Sequence, residues 1–137
     1  MYQMINIHDH FGEHLTIDGY GGARASLDNR VLILDVLESL PKKLEMHILH
    51  KPIVLLAPGT HGKDPGGWSG FVIIAESHIS VHTFPRRGFI SADIYTCKNG
   101  LDKKIIEQYF QEKFLLKSLE THFIVRGMKY PSANIYS

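Results

Sequence analysis

Apolar and polar residues alternate through Leu15-Thr16-Ile17-Asp18 with the two-residue period of a half-buried strand, ending on the turn signal Gly19-Tyr20-Gly21-Gly22. Beyond it the period changes. Leu27, Val31, Leu34 and Leu37 or Glu38 recur at helical spacing; Ser26 is placed to cap this helix, and Pro41 predicts its stop after about Leu40. The apolar run 52–57 predicts a buried strand closed by Pro58-Gly59. Residues 60–70, with four glycines and a proline, read as a loop. A second apolar run covers 71–75, and 79–84 alternate strictly. Pro85-Arg86-Arg87-Gly88 then turns the chain so that 89–96 pairs back. Asp102 predicts the cap of a second helix with an apolar stripe of Ile105, Ile106, Tyr109, Phe110 and Phe114, and 121–126 form a last strand.

Two helices separated by hairpin-linked strands predict an α+β fold, a two-layer sandwich with a mainly antiparallel sheet and both helices on one face. The opposite sheet face needs a cover. A second copy of the chain is the simplest one, so a homodimer is expected. The 137 residues suit a single domain with a core that needs no staples. Composition narrows the function classes. A formal net charge of +1 without a basic run argues against a nucleic-acid partner. No apolar stretch approaches the roughly 20 residues that span a bilayer, and Met1-Tyr2-Gln3-Met4-Ile5 does not open like a secretory signal. Cys97 is the one cysteine, which fits a reducing compartment; a cytoplasmic location is expected.

The chemistry gathers around the second hairpin. If Phe84 pairs with Phe89 across the turn, Cys97 falls opposite Glu76, beside the Glu76–Ser77 bond, and His82 falls opposite Ser91. Serine, histidine and cysteine are the residue types of nucleophilic and proton-transfer chemistry. Taken singly, each has a plainer role: a turn serine, a hydrogen-bonded strand histidine, a small buried thiol. A straight ladder also leaves His82 about 20 Å from Cys97, at about 3.3 Å per residue. The three meet only if the strand bends, the register differs or a bulge intervenes.

Together the residues form a longer pattern. His14-Leu15-Thr16-Ile17 with its glycine turn, Gly67-Trp68-Ser69-Gly70, Glu76-Ser77-His78, His82-Thr83-Phe84-Pro85, Gly88-Phe89, Asp93, Thr96-Cys97 and Arg126-Gly127 closely resemble the S-adenosylmethionine (AdoMet) decarboxylase family. The resemblance implies self-cleavage between Glu76 and Ser77, giving chains 1–76 and 77–137, with Ser77 becoming a pyruvoyl group. It implies that Ser69 helps the first intermediate and that His82 is the base that completes processing. The pyruvoyl carbonyl then forms a Schiff base with a small amino-acid-type substrate and draws electrons as carbon dioxide leaves, and Cys97 donates the returning proton. The implied setting is polyamine (spermidine) biosynthesis, with no metal.

The substrate positions depart from the family pattern. Lys63 stands where a stacking aromatic is usual, Phe84 where tryptophan is usual, and Arg86 where glutamate follows the proline; Trp68 is a replacement platform. An arginine or ornithine decarboxylase on the same scaffold is therefore an alternative, with Asp64 or Glu76 meeting the distal cation. A non-catalytic regulatory homologue should have lost Ser77, His82 or Cys97, and all three are present. The nine histidines also raise a metal site built from His8, His10 and His14, or from His78 with His82.

Overall fold

A computed structural model describes residues 10–60 and 62–137. Six strands form one antiparallel sheet: β1 (Gly12–Tyr20), β2 (Ile53–Ala57), β3 (Gly67–Ile74), β4 (Ser77–Phe84), β5 (Phe89–Thr96) and β6 (Ser118–Arg126), in the order β2-β3-β4-β5-β1-β6. Two longer helices, α2 (Arg30–Lys43) and α3 (Lys103–Phe114), and the short α1 (Arg24–Leu27) complete the described elements. Strict alternation divides the sheet. Leu15, Ile17, Val72, Ile74, Ile79, Val81, Ile90 and Ile94 pack with Ile33, Val36, Leu37, Leu40, Ile106, Phe110 and Phe114 of the helices into one core. The alternate positions face away from the helices. This is the expected α+β arrangement.

The register follows the hairpin expectation: Phe84 pairs with Phe89, His82 with Ser91 and Ser77 with Thr96. The turn is a short 3₁₀ segment, Pro85–Arg87, closed by Gly88 at φ 62°, where a side chain would be strained. Asp102 caps α3 by accepting from the Ile105 N–H at 3.1 Å.

Four expectations need correction. Asn29, not Ser26, caps the long helix, accepting from Leu32 N–H at 3.0 Å, because the chain first makes the separate α1. That shift turns Val31 outward, 72% exposed, and puts Ile33, Val36, Leu37 and Leu40 inward. Pro41 does not stop α2 but sits buried in its last turn, which runs on to Lys43. The strand at 53–57 is an edge, with Val54 buried and Ile53, Leu55 and Leu56 exposed. Finally, the glycine-rich 67–70 belongs to β3 rather than to a loop. Its glycines serve contact, not flexibility: a Cβ on Gly70 would lie 2.7 Å from Leu37 Cδ1, so α2 settles directly on the strand.

Candidate active site

Strands β3 and β4 join through a two-residue turn, Ala75-Glu76, and β5 runs alongside. The end of β5 meets that turn at one polar contact. The Cys97 backbone N–H donates to the Glu76 carbonyl at 2.8 Å. Ser77, next along, is held at φ 143°, a region that side-chain-bearing residues rarely occupy. The loop after Cys97 is fixed in turn by Glu13, a buried carboxylate on β1 that accepts from the N–H groups of Gly100 and Leu101, each at 3.0 Å. Glu76, Ser77 and Cys97 are thus brought together.

Ser69 and His82 form a second pair. They are register partners on β3 and β4, and Ser69 Oγ lies 2.9 Å from His82 Nδ1. Both face away from the helices. His82 lies five residues from Ser77 along β4, about 16 Å at about 3.3 Å per residue. No bend or bulge shortens that run, since β4 pairs without interruption with both neighbours. Within one chain the two pairs stay apart.

Between them lies a polar network that the sequence reading did not assemble. Asp93 accepts from Ser80, with His14 Nε2 at 2.6 Å and His78 Nε2 at 3.2 Å. Arg126 Nη1 lies 3.3 Å from His14 Nδ1 and its guanidinium covers the Tyr95 ring at 4.2 Å. Arginine can only donate, so this contact leaves the His14 proton on Nε2, aimed at Asp93. Burial pushes the Asp93 carboxyl up, but the Ser80 and His14 donors and the neighbouring imidazoles outweigh it and hold the group below the ordinary carboxylate range. The three converging donor atoms of His14, His78 and Asp93 lie within 4.8 Å of one another. The histidine groupings therefore differ from those expected. His14 joins His78 rather than His10, His82 joins Ser69 rather than His78, and His8 lies outside the described residues.

The four substrate positions separate. Phe84 and Lys63 line one cavity of about 430 Å³ with Asp64, Arg87 and Phe89, and the Phe84 and Phe89 rings are 5.5 Å apart. Arg87 closes its loop side by donating to the Gly62 carbonyl at 3.2 Å. Arg86 lines a different cleft, of about 260 Å³, with Arg24 and Asp28. Trp68 points to the helix-covered side, where its Nε1 donates to Asp28 at 3.0 Å. Alternation explains the split, since Trp68 and Phe84 stand on opposite faces.

Sequence reasoning missed Glu13, Asp93 as a hub, and the contacts that Glu76 makes through its side chain. One signal was available: Glu13 is a charge at a core-facing position of an otherwise apolar alternation.

Residues 13–127 match the S-adenosylmethionine decarboxylase family profile. The S-adenosylmethionine decarboxylase proenzyme of Clostridium botulinum (strain Langeland) is 36% identical over 116 residues, covering 85% of this chain and 94% of the relative. That of Pyrobaculum neutrophilum is 30% identical over 118 residues, covering 85% and 90%. Among solved structures, the adenosylmethionine decarboxylase from Aquifex aeolicus superposes with a TM-score of 0.73 at 26% identity, over 91% of this chain and 98% of that one.

Proposed function

The chain belongs to the S-adenosylmethionine decarboxylase family, and from that premise we propose that it is made as a proenzyme that cuts itself between Glu76 and Ser77 and then decarboxylates AdoMet. One observation carries the reading: the Glu76 carbonyl is held by the Cys97 N–H at 2.8 Å beside a Ser77 constrained to φ 143°. A fixed donor polarises the carbonyl and meets the charge that develops on its oxygen. A residue in so sparse a backbone region raises the ground state by on the order of 1–3 kcal/mol.

The chemistry then balances atom by atom. Ser77 Oγ bonds to the Glu76 carbonyl carbon, the C–N bond breaks, and the hydroxyl proton ends on the Ser77 nitrogen, leaving an ester. A base takes the Cα proton of residue 77, the Cβ–Oγ bond breaks, and Glu76 leaves as a carboxylate. Water adds to the resulting dehydroalanine and ammonia departs, so a pyruvoyl group heads residues 77–137. That carbonyl supplies an electrophile for the substrate α-amine and an electron sink as carbon dioxide is lost. The Cys97 thiol, at the same end of β5, returns the proton.

A homodimer supplies the base. His82 cannot reach the Cα of its own residue 77 across about 16 Å. A two-fold axis lying between face-to-face sheets, crossing β4 midway between residues 77 and 82, brings His82 of the partner subunit and Ser69 of the partner subunit over Ser77 and Cys97. The same operation builds a second, identical site. The axis then runs beside Ser80 and Asp93, so the two polar networks adjoin at the centre. The apolar cover comes from Ile53, Leu55, Phe71 and Ile73, which are 41–65% exposed on this face.

Phe84 and Phe89 supply the flat platform for the adenine ring in the cavity they share with Lys63. The arginine- or ornithine-directed alternative is not favoured. The matched relatives carry the AdoMet decarboxylase name, and this cavity offers aromatic area with a single carboxylate, Asp64, against Lys63 and Arg87. Spermidine formation follows as the setting from the family. A cytoplasmic site of action completes the reading, supported by the single cysteine, which fits a reducing compartment.

Intact-mass spectrometry of freshly made protein tests it. Two fragments divided at 76/77 are expected, the second blocked at its N-terminus, together with carbon dioxide release from AdoMet. A chain that stays whole and forms no adduct with hydrazine reagents rejects it.

A further inference from the structure

The scissile turn is held from a second side, by a segment that the self-cleavage chemistry above does not use. After α2 the chain crosses to the β3–β4 hairpin through residues 44–49. Its start is tied by Lys98, the residue after Cys97, whose Nζ donates to the carbonyls of Leu44 at 2.9 Å and Glu45 at 3.2 Å. Met46 anchors it in the core. Its far end joins β3: Ile48 bridges to Ile74, and Leu49 N–H donates to the Ile73 carbonyl at 3.0 Å.

His47 lies between these anchors and makes three contacts to the turn. Its carbonyl accepts from the Ala75 N–H at 2.7 Å, its backbone N–H donates to Glu76 Oε1 at 3.0 Å, and its Nδ1 lies 2.8 Å from Glu76 Oε2. The Glu76 carboxylate is thus gripped at both oxygens. It is mostly shielded, with 16% exposure, while the imidazole is 78% exposed and packs on little else. So exposed a ring contributes little to the core, and such contacts to the bond-breaking turn need another account.

We propose that His47 is a positioning residue for self-cleavage, which pins Glu76 by its side chain while its main-chain carbonyl is attacked and keeps the new chain end docked after the bond breaks. The inference rests on the proposed self-cleavage. Its logic is mechanical. As the Glu76 carbonyl carbon turns tetrahedral, the peptide must reorganise while its oxygen stays on the Cys97 N–H. An anchor on the main chain would move with that reorganisation; an anchor on the γ-carboxylate does not. The grip also survives cleavage, because neither the Ala75 N–H nor the Glu76 side chain is altered by it.

The test follows precursor conversion by intact mass in wild type, His47→Ala and His47→Asn. Asparagine carries an amide nitrogen close to the place of imidazole Nδ1 and can keep the contact to the Glu76 carboxylate. His47→Ala should slow conversion about fivefold, the equivalent of about 1 kcal/mol for an exposed charged pair, and His47→Asn should restore most of the rate. Glu76 is the charged group that touches His47; Glu45 and Lys98 stand at the segment's start and are common to all three proteins. Conversion of His47→Ala at the wild-type rate throughout overturns the inference alone. So does His47→Asn as slow as His47→Ala. A wild-type chain that never divides removes both the inference and the self-cleavage beneath it.

Discussion

Two inactive variants should repair each other, and the distance along β4 says how. General base catalysis needs the base within about 3 Å of the proton it takes, or one water away. His82 and Ser77 of one chain are about 16 Å apart, at about 3.3 Å per residue. Ser77→Ala removes the proposed nucleophile and His82→Ala the proposed base, so neither protein alone should divide. In a mixed dimer, one composite site combines Ser77 and Cys97 from the His82→Ala chain with Ser69 and His82 from the Ser77→Ala chain. That site is whole. The other carries both lesions. Co-expression with random pairing puts half of each variant in mixed dimers, so about half of the His82→Ala chains should be cut and none of the Ser77→Ala chains. Distinct tags on the two chains make the assay a mass measurement on captured heterodimers. Captured heterodimers without fragments, or His82→Ala homodimers that divide as fast as wild type, would refute the shared site.

Four further outcomes follow from the same geometry. Cys97→Ala should still divide, because the contact to Glu76 uses the backbone N–H, while turnover of AdoMet should fall about a hundredfold or more with loss of the proton donor; equal losses in both steps would contradict this division of roles. Phe84→Ala should raise KM for AdoMet about tenfold, the effect of losing one stacking ring, with kcat little changed in steady-state assays. Among uncleavable precursors, Ser77→Gly should unfold at higher denaturant than Ser77→Ala by about 1 kcal/mol, since glycine tolerates φ 143° at an entropic cost smaller than the strain. The Asp93 carboxyl is held low in the folded protein despite its burial, so its contribution is complete above the unfolded value of about 3.9 and is lost as pH falls from there through the folded value. Asp93→Asn should flatten that limb of an acid-unfolding curve.

Alternation was the legible part of this chain. Strands 79–84 and 89–96 announced themselves by period, the turn residues fixed their register, and register alone put Cys97 beside Glu76. Caps and edges were harder to read. Ser26 and Asn29 are both competent caps, and the choice depends on α1 forming first, which buries Leu27. Residues 53–57 look like a buried strand because both of their faces are apolar: Val54 enters the core, while Ile53 and Leu55 face outward, toward the face that a second copy would cover. Gly67 and Gly70 look like loop residues because their role lies in what packs on them. The site was half legible. The Ser69–His82 pair and the Glu76–Cys97 contact are neighbours by register, whereas His14, His78, Asp93 and Arg126 come from four strands and meet only in the assembled sheet.

The alternation that builds the core also sets apart the residue proposed to react. Ser69, His82, Phe84 and Cys97 all take the outward parity, and Ile79, Val81 and Thr83 the inward one. By count Ser77 belongs with the inward set, against the buried Thr96. Its positive φ of 143° sets it apart from the rest of β4, at the first residue of the strand, beside the turn. Such strain also gives the reaction a direction. φ describes rotation about the bond from the residue 77 nitrogen to its Cα, and the proposed processing chemistry would remove that nitrogen as ammonia and make the Cα trigonal. On that proposal the constraint would vanish with the bond instead of being passed to a neighbour, releasing the on-the-order-of 1–3 kcal/mol stored at one residue. The rest of β4 is laddered to β3 and β5, so the fold that strains the serine would also hold both proposed fragments together.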